Sequence, residues 1–257
     1  MNRAILTAVP HFPEVGPGTN LPALIVHTLR AADLAPGSGD ALVVAQKIVS
    51  KAEGSIVDLT TVRPGAEAVQ IAATIEKDPR LVEVVLREST RVVRAHRGVL
   101  ITEHRLGFIC ANAGVDHSNV GLGPDVVSLL PRDPDASARA IRETLRAAFD
   151  VSIAVLINDS HGRPHREGAV GVCIGAAGFE PVVSLVGRPD LYGYTMRTST
   201  EAIADEVAGA ATLLQGQCAE GTPVVLVQGL GLSAPAANVE DAGAGRLRRD
   251  PARDLFR

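Results

Sequence analysis

The strongest constraint on the fold is a set of short apolar runs, each too short for a buried helix and each bounded by polar or glycine-containing residues. The run within residues 40–54 predicts a buried strand that leaves through polar residues, and 151–157, 169–178 and 223–230 predict further strands. Residues 91–111 predict two or three antiparallel strands with turns at 96–98 and 104–107. Because strands occur both in hairpins and singly between helices, the pattern favours an α+β or mixed three-layer fold over regular βαβ winding.

Helical periodicity and capping residues occupy the segments between these runs. The predicted helices are 21–33 capped by Asn20, 65–77, 80–89 after Asp78-Pro79, a helix begun by Asp133-Pro134, and 198–216 with Thr198 and Glu201 as a capping box and Gly216 as terminator.

Composition excludes several classes of protein. The formal net charge of −4 argues against broad phosphate-backbone binding, so no nucleic-acid partner is expected. No apolar run approaches the ~20 residues that cross a bilayer, and the N-terminus lacks a signal-peptide core. We therefore expect a cytoplasmic protein without a membrane partner. Cys110, Cys173 and Cys218 lack metal-site spacing and are expected to be buried free thiols.

Lysine is rare in this chain: only three of the 25 basic residues are lysines. Lys47 and Lys51 lie within one short segment, which suggests that a compact ammonium is needed there, as at a phosphate. Chance placement at a strand edge remains the alternative. Lys77 lies on a predicted helix face and is expected to be ordinary surface.

Two aspartates lie in small-residue loops that follow apolar strands. Asp116 belongs to "CANAGVDHSNVG" (110–121) and Asp159 to "NDSHGRPHREG" (158–168), each followed by a hydroxyl or an amide. Such hard oxygen donors suit Mg²⁺ or Mn²⁺, although a single aspartate in such a loop is usually a turn former.

Other motifs carry less weight. The chain has no Walker A sequence and no G-x-G-x-x-G between a strand and a helix, so a nucleotide would have to be held differently. The histidines His117, His161 and His165 do not have the spacing of a zinc site. Arg163 and Arg166 could clamp a phosphate or a carboxylate, or could belong to a solvated loop.

Long segments then resemble a known family. They are "QKIVSKAEG", "DPRLVEVVL", "GFICANAGVDHSNV", "LLPRDPDASARAIR", "INDSHGRPHREGAVGVCIGAAG" and "TSTEAIADEVAGAATLLQGQCAEGTPVVLVQGL". In that order they resemble the coenzyme F420-0:L-glutamate ligase family, of the CofE type, over about residues 9–231. Residues 1–231 are therefore predicted to be the ligase region, with two interlocked subdomains, and 232–257 a Gly/Ala/Arg-rich tail.

The resemblance implies functions for particular residues. Asp116, Asp159 and Ser160 would be metal ligands; Lys51, Asp116 and Asp159 would be catalytic; and Phe12, Pro13, Glu14, Val15, Gln46, Lys47, Lys51 and Asn119 would contact GTP. The chain departs from the family pattern in three ways: Thr19-Asn20 replaces an acidic pair, Ser160 replaces threonine, and His161 and His165 stand at aromatic-type positions.

The resemblance also implies a reaction and an assembly. It implies a mixed α/β intertwined homodimer that uses GTP, two divalent cations (Mg²⁺ or Mn²⁺) and K⁺ as a further candidate ion to join L-glutamate to F420-0 through an acyl phosphate. Addition of further γ-linked glutamates would follow. The alternatives are a GTP-dependent ligase acting on a different acidic cofactor, and a GTP-binding regulator without turnover.

Overall fold

The computed structural model describes residues 3–232 and 243–254, which form six α-helices and twelve strands. The helices are α1 (Leu21–Ala31), α2 (Gln46–Glu53), α3 (Ala66–Ile75), α4 (Pro79–Arg87), α5 (Pro134–Phe149) and α6 (Ile203–Gln215). The strands are β1 (Ile5–Ala8), β2 (Ala41–Ala45), β3 (Ile56–Asp58), β4 (Ser89–His96), β5 (Val99–His104), β6 (Ile109–Ala111), β7 (Val126–Ser128), β8 (Ala154–Arg163), β9 (Arg166–Ala177), β10 (Val183–Ser184), β11 (Thr200–Glu201) and β12 (Val224–Gln228).

The centre of the fold is a five-stranded mixed sheet with the strand order β1-β12-β2-β8-β9. Only β2 and β8 run parallel within it; the other neighbours are antiparallel. Alternate residues of β2 enter different cores, since Leu42 and Val44 pack with α1 and α5 while Ala41 and Val43 pack with α6. The sheet therefore lies between helices on both faces, as the expected three-layer arrangement requires.

A second group of elements has its own core. The sheet β4-β5-β6 and the helices α3 and α4 surround Leu59, Val82 and Leu100, and they also bury Ala113 and Val115. The chain is thus a mixed α/β protein with several sheets. No helix within the described residues is long and apolar enough to cross a bilayer.

Most predicted helix ends are confirmed. Asn20, Asp78 and Asp133 each accept a hydrogen bond from a backbone N–H in the first turn of α1, α4 and α5, respectively. Gly216 ends α6, but the predicted capping box before it is wrong: Thr198 precedes β11, Glu201 belongs to it, and Ala202 is the residue before the helix.

Two segments adopt a different structure from the one predicted. Residues 46–53 are the helix α2, closed by Gly54 at φ +69°, and not the end of a strand. Its eight residues are too few to show a clear helical period. Residues 158–163 continue β8 and pair with β9 as a hairpin, so the predicted loop is only the turn at 164–165. Strand pairing here outweighs the polar composition.

Two single residues also differ from expectation. Cys110 and Cys173 are buried free thiols, but Cys218 is exposed because it follows the end of α6. Lys77 is not on a helix face, since α3 ends at Ile75.

Of the predicted tail, Leu232 and residues 243–254 are described, and 233–242 and 255–257 lie outside the described residues.

The contact between α6 and β9 depends on glycine. A Cβ on Gly171 would lie 2.6 Å from the carbonyl oxygen of Ala208, whereas a Cβ on Gly209 in the same helix would lie 3.6 Å from its nearest neighbour, the carbonyl oxygen of Gly171. The two glycines therefore form a matched pair for substitution.

Gly171→Ala should lower the free energy of unfolding by about 1–3 kcal/mol, because the helix must move away from the sheet. Gly209→Ala should raise it by about 0.5–1 kcal/mol, because alanine favours a helix interior. Urea denaturation of both variants checks this, and equal midpoints would contradict the close packing.

Candidate active site

One cleft of about 730 Å³ collects the three polar segments singled out from the sequence. All predicted site residues line it: Phe12, Pro13, Glu14, Val15, Gln46, Lys47, Lys51, Asp116, Asn119, Asp159 and Ser160. Val15 contributes to the wall from the hydrophobic core, where it is buried. Residues from three segments that are far apart in the sequence thus meet at one cleft.

The parallel pairing of β2 and β8 explains this meeting. Ala45 at the end of β2 lies opposite Asn158 of β8, so the residues that follow each of them emerge side by side. On one side begins α2, whose first turn has neither a side-chain cap nor an acidic residue. On the other side lies Asp159. The uncapped end of a helix carries free N–H groups and partial positive charge, which favour an anion.

Asp116 is held by an ion pair across the cleft. The Lys47 ammonium donates to Oδ2 of Asp116 at 2.8 Å and to the hydroxyl of the buried Ser128 at 2.8 Å. Ser118 also donates to Asp116 from its backbone N–H and its hydroxyl. Burial by itself raises the pKa of Asp116, but the hydrogen bonds from Lys47 and Ser118 outweigh burial and lower it. Asp116 is therefore ionised at neutral pH.

Asp159 has different neighbours. The Nε2 atom of His161 lies 3.1 Å from Oδ2, and Gln46 donates to Oδ1 at 3.5 Å. Gln217 donates to the hydroxyl of Ser160 at 2.8 Å. Burial, together with the negative charge of Asp159, raises the pKa of the nearby Cys110 thiol to about 12, so this thiol is no nucleophile at neutral pH.

Lys51 is the nearly buried cation of the cleft. Its residue is 7% exposed, and its nearest carboxylate oxygen in the described part of the chain belongs to Glu14 at 3.8 Å. That distance is too long for a hydrogen bond, and Glu14 itself is largely exposed. A nearly buried ammonium so weakly paired is suited to receive an anion from the cleft.

The donors in the cleft fit a hard divalent cation better than a closed metal cage. Asp116 and Asp159 are carboxylates, the Ser118 hydroxyl donates to Asp116, and Ser160 follows Asp159 in β8 and also lines the cleft. Within residues 3–232 and 243–254, no three His, Cys, Asp or Glu side chains converge as a metal site. Mg²⁺ and Mn²⁺ commonly complete their coordination with water and phosphate oxygens, so two carboxylates can suffice.

The sequence reasoning missed one wall of the cleft. Residues 215–223, between α6 and β12, line it, and Gln215 forms an amide pair with Asn158. Gln217, Cys218 and Glu220 belong to this wall. No local pattern marks them, because their position depends on β12 lying beside β2 in the sheet.

Comparison with known proteins gives a consistent result. The sequence model of the family described as F420-0:Gamma-glutamyl ligase matches residues 11–229. A protein of Methanothermobacter thermautotrophicus named coenzyme F420:L-glutamate ligase is 44% identical over 98% of this chain and 98% of its own length. Proteins with the same name from Methanopyrus kandleri and Methanocaldococcus jannaschii are 42% identical over 97% of this chain and 96% of theirs, and 40% identical over 85% of both.

Proposed function

Because the chain belongs to the F420-0:gamma-glutamyl ligase family, we propose that it joins L-glutamate to coenzyme F420-0 in a GTP-dependent reaction. The observation that carries this proposal is the position of the nearly buried Lys51 and of two carboxylates, Asp116 and Asp159, around one cleft. The ligase named in the relatives needs such a site, because a carboxylate must be activated before an amine can attack it.

The reaction has two steps, phosphorylation of the acceptor carboxylate and attack by the amine. The terminal carboxylate of F420-0 attacks the γ-phosphorus of GTP, which forms an acyl phosphate and releases GDP. The α-amine of glutamate then attacks the acyl carbon, the C–O bond to phosphate breaks, and the amine loses a proton. Repetition on a γ-carboxylate would extend a γ-linked chain.

The chain's own residues supply binding and charge. Lys51 and the uncapped start of α2 face the negative phosphate groups, and Lys47 and Asn119 line the same wall. The 9–20 loop is tied to α2 by the N–H of Gly18 donating to Ala52 at 3.0 Å, so Phe12 to Val15 can border the nucleotide. Asp116, Asp159 and Ser160 would hold two Mg²⁺ or Mn²⁺ ions, with K⁺ as a further candidate. Such cations neutralise charge on a transferring phosphoryl group.

A substrate-omission assay tests this function. Phosphate should be released from GTP only when F420-0 and glutamate are both present, with glutamylated product in equal amount. Release with glutamate and a different acidic acceptor would indicate the other ligase activity. GTP binding without any release would indicate a regulator and would contradict the proposal.

Asp116→Asn and Asp159→Asn, made separately, should each lower metal-dependent GTP turnover by at least about tenfold. Each substitution keeps the size of the side chain and removes a charge that the cation needs, and loss of such an electrostatic group costs about 10²–10³ in rate at its largest. Asp150→Asn, at an exposed residue after α5, is the matched control and should keep wild-type turnover. Wild-type rates in both site variants at saturating Mg²⁺ would refute the two-aspartate metal site.

Lys51→Arg should weaken GTP binding or turnover by about 1–3 kcal/mol, the size of a charge-assisted hydrogen bond. The planar guanidinium is larger than an ammonium and has little room in a nearly buried position. Lys77 cannot serve as the control, because its ammonium donates to Asn112. The control is the reverse substitution Arg146→Lys on the exposed face of α5, which should not change GTP binding. Equal affinities for GTP in the two variants would contradict a phosphate contact at Lys51.

We also propose that the protein acts as a homodimer, as the family resemblance implies. A hairpin arm, residues 183–201, carries β10 and β11 and exposes large side chains at its tip. Leu191 is 90% exposed and Tyr192 91% exposed. Val186 and Tyr194 on the same arm are more than half exposed, and a group of large exposed side chains on one arm suits a contact surface.

Light scattering at micromolar concentration should give twice the chain mass of 26.7 kDa. Aspartate at both Leu191 and Tyr192 should reduce it to the monomer mass, because charges would enter the contact. Leu213→Asp is the control, since Leu213 is 84% exposed but lies on α6. A monomeric wild type would refute the dimer, and a dimeric double variant would exclude the arm from its interface.

A further inference from the structure

Lys77 connects the end of α3 to the loop that precedes Asp116. The backbone turns after α3 at Glu76, which has φ +56°, and the N–H of Lys77 donates to the carbonyl of Ala72 at 3.1 Å. The Lys77 side chain is then partly buried, and its ammonium donates to Oδ1 of Asn112 at 2.9 Å. A flexible side chain is thus held against a residue that lines the cleft.

The loop at this contact has an unfavourable backbone. Asn112, Ala113 and Gly114 adopt φ values of +51°, +51° and +68° in succession. Glycine adopts this left-handed region readily, but L-residues such as Asn112 and Ala113 rarely do, and two of them in succession need support from their surroundings. Ala113 is fully buried, and a Cβ on Gly114 would lie 2.6 Å from Leu130, so packing holds two of the three residues. The hydrogen bond to Lys77 holds the third.

The same hydrogen bond determines which amide atom of Asn112 is available to the cleft. An ammonium only donates hydrogen bonds, so the oxygen of the Asn112 amide must face Lys77. A flipped amide would place two donors against each other. The Nδ2 group, a donor, therefore remains for a partner in the cleft. A donor suits a carboxylate or a phosphate oxygen, whereas an acceptor would repel one.

We propose that Lys77 is a positioning residue of the ligase, which acts through Asn112 to hold the 112–114 turn and to keep an amide donor available to the anionic substrates. This rests on the proposed function for the nature of the substrates. The anchoring of the loop can be measured without any substrate.

The first measurement is hydrogen exchange of the peptide covering residues 110–120 in the free protein. Lys77→Met keeps the apolar stem of the side chain and removes the ammonium, so exchange of this peptide should rise several-fold while a peptide from α5 stays unchanged. Lys77→Arg keeps a donor for Asn112, so hydrogen exchange of this peptide should be as slow as in the wild type. Arg146→Met is the matched control, because it removes a positive charge on the exposed face of α5.

The second measurement separates anchoring from chemistry. Asn112→Asp can still accept from Lys77 and tolerates a positive φ, but it replaces the amide donor with a second carboxylate oxygen. Its thermal midpoint should equal or exceed that of the wild type, while kcat/KM for glutamate ligation should fall at least tenfold. Lys77→Met and Asn112→Ala should each lower kcat/KM at least about tenfold, and the double variant should fall no further than Asn112→Ala, because Lys77 acts only through Asn112.

Unchanged exchange in Lys77→Met, or wild-type kcat/KM in Asn112→Asp, would overturn the proposal. If Lys77→Met does not fold, the thermal midpoints of the Asn112 variants decide it: a lower midpoint in Asn112→Ala than in Asn112→Asp supports the anchor, and equal midpoints overturn it. If the wild type has no ligase activity but hydrogen exchange of residues 110–120 is faster in Lys77→Met, the proposed function is wrong and the anchoring of the loop by Lys77 is still supported.

Discussion

The parallel pairing of β2 with β8 is the constraint on which the cleft depends. It is the one parallel pair in the central sheet, and it stops at Ala45 and Asn158, where β2 gives way to α2 while β8 continues beside β9. Beyond Asn158 the side of β8 that faced β2 has no strand partner, so the start of α2 and the carboxylate of Asp159 can approach each other there. Ligands of open α/β sheets commonly bind in a crevice beyond the carboxyl end of a strand, as here beyond β2. Gln46 and Lys47 follow β2 directly, Asp159 and Ser160 belong to β8, and Asp116 is joined to this edge through Lys47.

Each of the two aspartates in the cleft has its own hydrogen-bonding partners. Lys47 neutralises Asp116, and His161 and Gln46 hydrogen-bond Asp159. Lys51 is the exception, since Glu14 lies at 3.8 Å and is mostly in water. A weakly paired, nearly buried ammonium costs stability in the free protein and gains most when an anion arrives. The weakly paired charge of Lys51 therefore identifies where binding energy is available.

Small residues and a left-handed turn give access to this charge. Residues 110–121 carry little side-chain bulk, and their backbone is fixed by contacts from behind the cleft. Ala113 is buried in the second core, Gly114 packs closely against Leu130, and Lys77 bonds Asn112. The face toward the cleft is thus free for ligand contact, and the rigidity comes from the opposite side. All three lysines of an arginine-rich chain contribute to the cleft or to its support.

The sequence by itself determined the features that depend on near neighbours. The starts of α1, α4 and α5 at Asn20, Asp78 and Asp133 follow from side chains that cap the next turn, and the small-residue loop around Asp116 follows from its composition. Family resemblance named the residues that line the cleft. Tertiary structure alone decided the rest, because strand order and pairing depend on segments far apart in the chain. Only pairing with β9 makes 158–163 a strand, only the position of β12 beside β2 brings 215–223 to the cleft, and only the approach of α3 to Asn112 makes Lys77 more than a surface charge.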